Sequence, residues 1–81
     1  MEQRVESLIK ALVRNPDAVS VRCSERRDQP VFAVEVATED RGAVLGRQGS
    51  TIRAIETVVA AMCRNNGETP RSIELRDERQ D

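Results

Sequence analysis

Eighty-one residues, with 13 basic and 14 acidic side chains, no histidine and a formal charge of −1, allow one domain with a small core, because so short a chain buries only about 60 to 65% of its unfolded surface. The even balance excludes a uniformly basic polyanion binder, so any anion site has to come from local placement of charge. With no histidine, no nucleophile set beside a base and acids scattered on solvated faces, an enzyme, a metal site or a bound cofactor is not expected. There is no apolar run of about 18 residues, and Met1-Glu2-Gln3-Arg4 opens straight into an amphipathic pattern, which points to a soluble cytoplasmic protein without a membrane partner.

Between Glu2 and Arg14 the apolar residues Val5, Leu8, Ile9, Leu12 and Val13 recur at the spacing of a helix buried along one stripe. Asn15-Pro16 is expected to stop it, since proline disfavours helical geometry in the residue before it. Val19, Val21 and Cys23 then alternate with Ser20, Arg22 and Ser24 as in a half-buried strand. After a charged turn from Glu25 to Pro30, Val31 to Ala37 gives a second strand, with Phe32, Val34 and Val36 on one face and Glu35 on the other. The two strands are expected to form an antiparallel hairpin.

Thr38 is placed to cap a short helix from Glu39 to Leu45, with Glu39 and Asp40 in its first turn where the helix dipole favours acids. A longer helix capped by Ser50 or Thr51 runs to about Asn65. There Asn65-Asn66-Gly67 supplies residues that accept the left-handed conformation. Arg71 to Arg76 is a last strand with Ile73 and Leu75 inward, and the charged tail Asp77 to Asp81 is expected to be disordered. Cys23 and Cys63 fall on apolar patterns with neither CxxC spacing nor histidine partners, so both are expected as buried free thiols.

Gly46-Arg47-Gln48-Gly49 lies between the two helices. A pair of glycines three apart is often only a turn or a cap. Here it also lets backbone approach a ligand closely, and the amides opening the next helix carry partial positive charge toward the same point. Arg41 lies a turn before the loop, Arg47 inside it and Arg53 a turn after it, so a phosphate backbone is the expected anion.

The order α-β-β-α-α-β, with this loop between the second and third helices, resembles the type II KH domain, an α+β fold with a three-stranded sheet and three helices packed on one face. Over residues 2 to 76 the chain is similar to the KhpA-type small bacterial KH proteins. The most specific stretch is Asp-Arg-Gly-Ala-Val-Leu-Gly-Arg-Gln-Gly-Ser-Thr-Ile-Arg-Ala-Ile, residues 40 to 55. Leu45 stands where the family more often has isoleucine, a volume-conserving change.

The resemblance implies a single-stranded RNA-binding protein whose GXXG loop, Gly46 to Gly49, grips phosphates with help from Arg41, Ser50 and Arg53. Bases would turn into a groove between the flanking helices and the edge of the second strand, against Val44, Leu45, Ile52 and Ile55 with Val36 beneath. For Leu45, Ile55 and Val36, core packing fits better than contact. Trp and Tyr are absent and the chain has a single Phe, so base stacking on an aromatic platform is not available. Asp at Gly46 and Gly49, or at Arg47 and Gln48, is expected to abolish RNA binding with the fold intact.

The long helix carries a second stripe, Ala54, Val58 and Ala61. It either covers the first helix or forms a subunit interface. The family resemblance favours the interface, implying a homodimer or a heterodimer with a larger Jag/KhpB-type KH protein. By the same resemblance the setting is RNA chaperone activity and post-transcriptional regulation linked to cell elongation and division. The competing reading is a protein-interaction adaptor for which RNA is secondary.

Overall fold

The computed structural model describes residues 1 to 76, and the expectation about the tail from Asp77 lies outside them. The elements are α1 (Glu2–Lys10), β1 (Ser20–Arg26), β2 (Gln29–Glu35), α2 (Arg41–Leu45), α3 (Ser50–Asn65) and β3 (Ser72–Arg76). Single 3-10 turns occupy Pro16–Ala18, Thr38–Asp40 and Arg47–Gly49. The α+β order α-β-β-α-α-β is the one the sequence implies.

The sheet has the order β1-β2-β3. β1 and β2 form the expected antiparallel hairpin, with Val21 opposite Val34 and Cys23 opposite Phe32. Arg27 and Asp28 close it, both with positive φ (53° and 65°), as a two-residue turn matched to strand twist requires. β3 returns parallel to β2, with Phe32 beside Ile73 and Val34 beside Leu75. A parallel return needs a long crossover, and α2 and α3 supply it. All three helices contribute to one core: Val5 and Ile9 from α1, Val44 from α2, and Ile55, Val59 and Cys63 from α3 pack with Val21, Phe32, Val34 and Ile73 from the sheet.

β2 is buried on both faces, Val31 and Ala33 included. The pairing register puts these two on the face away from the helices, beside Arg22, Ser24, Ser72 and Glu74. Charged side chains bridge that face: Arg22 pairs with Glu35 at 3.8 Å, and Glu74 pairs with Arg26 at 2.8 Å and Arg76 at 2.7 Å. Their aliphatic stems cover apolar strand surface while the charges meet one another at the water boundary.

α1 is shorter than its stripe predicts. It ends at Lys10, the Leu12 amide closes a tighter bond to the Ile9 carbonyl at 2.9 Å, and Leu12 is left exposed. The cause is Asp40: its carboxylate accepts the backbone amides of Arg14 (3.1 Å) and Asn15 (3.0 Å) and the Asn15 side chain (3.0 Å). Those amides are therefore drawn out of the helix before Pro16 could stop it. Asp40 does not cap α2, which has no side-chain cap bond, and Thr38 lies inside the 3-10 turn that Ala37 opens. Burial pushes the Asp40 carboxyl up, but the Asn15 and Arg14 donors outweigh it and hold the group below its ordinary value.

Cys63 is buried as expected, whereas Cys23 is exposed. β1 is an edge strand, and at Cys23 the Glu2 carboxylate from the first turn of α1 accepts the backbone amide at 2.6 Å. α3 ends as its sequence predicts. Gly67 takes φ +74°, its amide bonds the Arg64 carbonyl at 3.1 Å and the Glu68 amide bonds the Cys63 carbonyl at 2.8 Å, the pairing of a Schellman cap.

Candidate nucleic-acid interface

The loop is a single turn with two bends. Gly46 ends α2 at φ +75°, Gln48 takes φ +54° and Gly49 φ +76°. The Gly46 amide bonds the Gly42 carbonyl at 2.9 Å and the Gly49 amide bonds the Gly46 carbonyl at 3.3 Å. Gly49, rather than Ser50 or Thr51, is the N-cap of α3, and no side chain caps that end. The leading amides of a sixteen-residue helix thus have no side-chain acceptor, and such an end attracts an anion.

The two glycines are required for different reasons. A Cβ at Gly46 would lie 2.1 Å from Thr51 Oγ1 and 2.7 Å from the Thr51 amide nitrogen, so its absence lets α2 end against the first turn of α3. A Cβ at Gly49 would lie 3.3 Å from a guanidinium nitrogen of Arg53, which places that charge over the loop. The expectation that Asp at Gly46 and Gly49 leaves the fold intact is therefore corrected: only the pair at Arg47 and Gln48, both exposed, is a clean test.

Beside the loop lies an open groove of about 430 Å³, lined by Arg41 and Leu45 of α2, Ile52 of α3, Ser72 to Leu75 of β3, and Val31 and Arg26 from the neighbouring strands. The groove gathers some of the residues read from the sequence and leaves others out. Leu45 is 45% exposed and Ile52 half-buried, both in position to touch a base. Val44, named as a contact, is fully buried and belongs to the core, as do Ile55 and Val36. α2 has only one turn, and the residue that roots it in the core cannot also face outward. Arg47, Arg53 and Ser50 are exposed around the loop. Arg41 is partly committed, donating to the Arg76 carbonyl at 2.6 Å, and so ties α2 to the end of β3.

The strand wall of the groove is β3 instead of the edge of β2, because β2 is the central strand. Ile73, Glu74, Leu75 and Arg26 line this groove without having been singled out for it in the sequence. Ile73 and Leu75 were read from the sequence only as inward strand positions. The resemblance to the type II KH topology was the signal that could have placed β3 beside β2, where the structure shows it returning in parallel.

A glycine-cornered turn between two helices, set beside a groove closed by the last strand of an α-β-β-α-α-β fold, defines the chain as a KH domain of the type II topology. The family model described as "KhpA/KhpB, KH domain" matches residues 2–74, and the chain belongs to that family. Among curated relatives it is 44% identical over 62 residues to "RNA-binding protein KhpA" of Streptomyces coelicolor, covering 76% of this chain and 78% of that protein. Its identity to the protein of the same name from Caldanaerobacter subterraneus subsp. tengcongensis is 43% over 61 residues, 75% and 81% of the two chains. For the Listeria monocytogenes protein of that name the identity is 35% over 66 residues, 82% and 87%. No solved structure matches the chain significantly.

Proposed function

We propose that residues 1 to 76 act as one KH domain that binds single-stranded RNA in the cytoplasm as an RNA chaperone or post-transcriptional regulator, without enzymatic activity. Gly46 to Gly49 grip the sugar-phosphate backbone while bases lie against Leu45 and Ile52. The observation that carries the reading is the loop itself: α3 amides without a side-chain cap, two positive-φ glycines and exposed Arg47 and Arg53 meet at one turn. The relatives named RNA-binding proteins support it. Crosslinking in cells tests it: the wild-type chain is expected to carry RNA, and the Arg47→Asp, Gln48→Asp double variant is expected to lose it. Equal crosslinking of the two would remove the proposal.

A second reading, self-association or pairing with a KhpB-type KH protein, is favoured by α3. Ala54, Val58 and Ala61 are exposed, Val58 at 49%, so the stripe does not cover α1. Thr57, Val58, Ala61, Met62 and Asn65 line a shallow apolar depression suited to a facing helix. A family model shared by KhpA and KhpB is consistent with such pairing. Two subunits would present two weak loops to one RNA and gain avidity.

A further inference from the structure

The groove lacks the means to tell bases apart by their faces. Phe32, the single aromatic residue of the chain, is 1% exposed in the core, and Leu45, Ile52 and Leu75 offer dispersion contacts that every base accepts about equally. Discrimination has to come from polar groups on the wall, and there several donors are already used. The Ile73 amide donates to Glu56 Oε2 at 2.8 Å, Arg41 donates to the Arg76 carbonyl, and Arg26 donates to Glu74. Of the side-chain acceptors that β3 brings to the groove from its open-face side, the Ser72 hydroxyl and the Glu74 carboxylate, only the carboxylate is an anion.

Glu74 is held firmly. Arg76 Nε donates to its Oε1 at 2.7 Å and Arg26 Nη1 to its Oε2 at 2.8 Å, with 17% of the side chain exposed. The Arg76 hydrogen bond is the main cause that keeps its carboxyl below the ordinary value; burial opposes it, and Arg26 adds to the lowering. The group at neutral pH is therefore an anion that only accepts. A carboxylate has about four lone-pair positions, so two bonds leave it able to take more.

We propose that Glu74 is a specificity determinant of the groove, its carboxylate accepting the exocyclic amine of cytosine or adenine and rejecting uracil. The inference rests on the RNA reading above and deepens it. Cytosine N4 and adenine N6 are both donors, and acceptance of the cytosine amine by a glutamate is an established pairing. Uracil presents a carbonyl oxygen where cytosine has its amine, so the same geometry sets a partial negative charge against the anion. Two guanidiniums fix the carboxylate in advance, so little ordering is required when the base arrives.

Fluorescence anisotropy with short single-stranded oligomers tests the assignment. The wild-type chain is expected to bind an oligocytidine about tenfold more tightly than an oligouridine of equal length. Glu74→Gln, which offers a donor as well as an acceptor, is expected to bring the ratio close to one. An oligomer of pyrimidin-2-one nucleotides, which lack both the 4-amino group of cytosine and the 4-carbonyl of uracil, is expected to bind the wild type more weakly than the oligocytidine does. That arm leaves the protein untouched and decides the matter should the variant fail to fold. Equal wild-type affinities for cytidine and uridine oligomers, or a preference that survives in a folded Glu74→Gln, would overturn the assignment. If both oligomers bind equally and Arg47→Asp, Gln48→Asp abolishes both, the RNA reading stands and this inference falls. If neither oligomer binds the wild type, both fall.

Discussion

Gly46 and Gly49 look equivalent in the sequence and are not equivalent in the fold. Gly46 is fixed by packing, since any Cβ would meet Thr51 in a backbone conformation that side chains rarely adopt. Gly46→Ala is therefore expected to cost about 1 to 3 kcal/mol, lowering the melting temperature by roughly 4 to 8 °C for each kcal/mol in a domain of this size. Calorimetry checks this, and an unchanged melting temperature would contradict it. Asp40 was legible as an acid at the start of a helix, but not as the acceptor for Arg14 and Asn15, because its partners are 25 and 26 residues away and leave no local pattern.

The sign of Asp40's pH dependence follows from its lowered folded-state value. Relative to the unfolded chain the folded state favours the carboxylate, so this contribution is complete well above the ordinary value of 3.8. It is lost as pH falls through and below 3.8 toward the lower folded value. Asp40→Asn is expected to be less stable than wild type at pH 7, with the gap narrowing under acid. Urea midpoints at neutral and acid pH measure it, and a gap that stays constant would argue against the linkage.

Elements with strong periodicity were readable, and so was the glycine-marked end of α3, whereas the end of α1 was not. The hairpin and α3 follow from period-two and helical spacing, and the close of α3 follows from Asn65-Asn66-Gly67. α1 stops early and Cys23 lies uncovered because both depend on where another element reaches, and a stripe of apolar residues carries no such information. From the sequence alone the second stripe of α3 fits either α1 or a partner. Its exposure shows that α1 does not cover it. On the pairing proposal, sedimentation at tens of micromolar is expected to find a dimer that Val58→Glu converts to monomer, since a charge buried in an apolar contact without a partner is costly. A wild-type chain that sediments as a strict monomer would remove the pairing proposal.

Across the whole molecule the charge nearly cancels, at −1, yet its placement is uneven. On the open sheet face Glu35 and Glu74 hold Arg22, Arg26 and Arg76 in pairs, whereas Arg47 and Arg53 stand exposed beside the loop. Binding is therefore expected to be local and weak, with about three phosphates neutralised by Arg41, Arg47 and Arg53. At a slope near −0.7 per contact, affinity for single-stranded RNA is expected to fall about twentyfold between roughly 50 and 200 mM salt. An affinity indifferent to salt would contradict the electrostatic part of the account.

Titration of a labelled single-stranded RNA at about 50 mM salt, with the wild-type chain and with Arg47→Asp, Gln48→Asp at matched thermal stability, tests the loop most directly. Gln48 takes a left-handed φ of 54°, which aspartate tolerates better than most residues, so the variant is expected to fold. Saturable binding by the wild type, lost when two carboxylates face the phosphates, is the result the account predicts. Indistinguishable titration curves for the two proteins would contradict it.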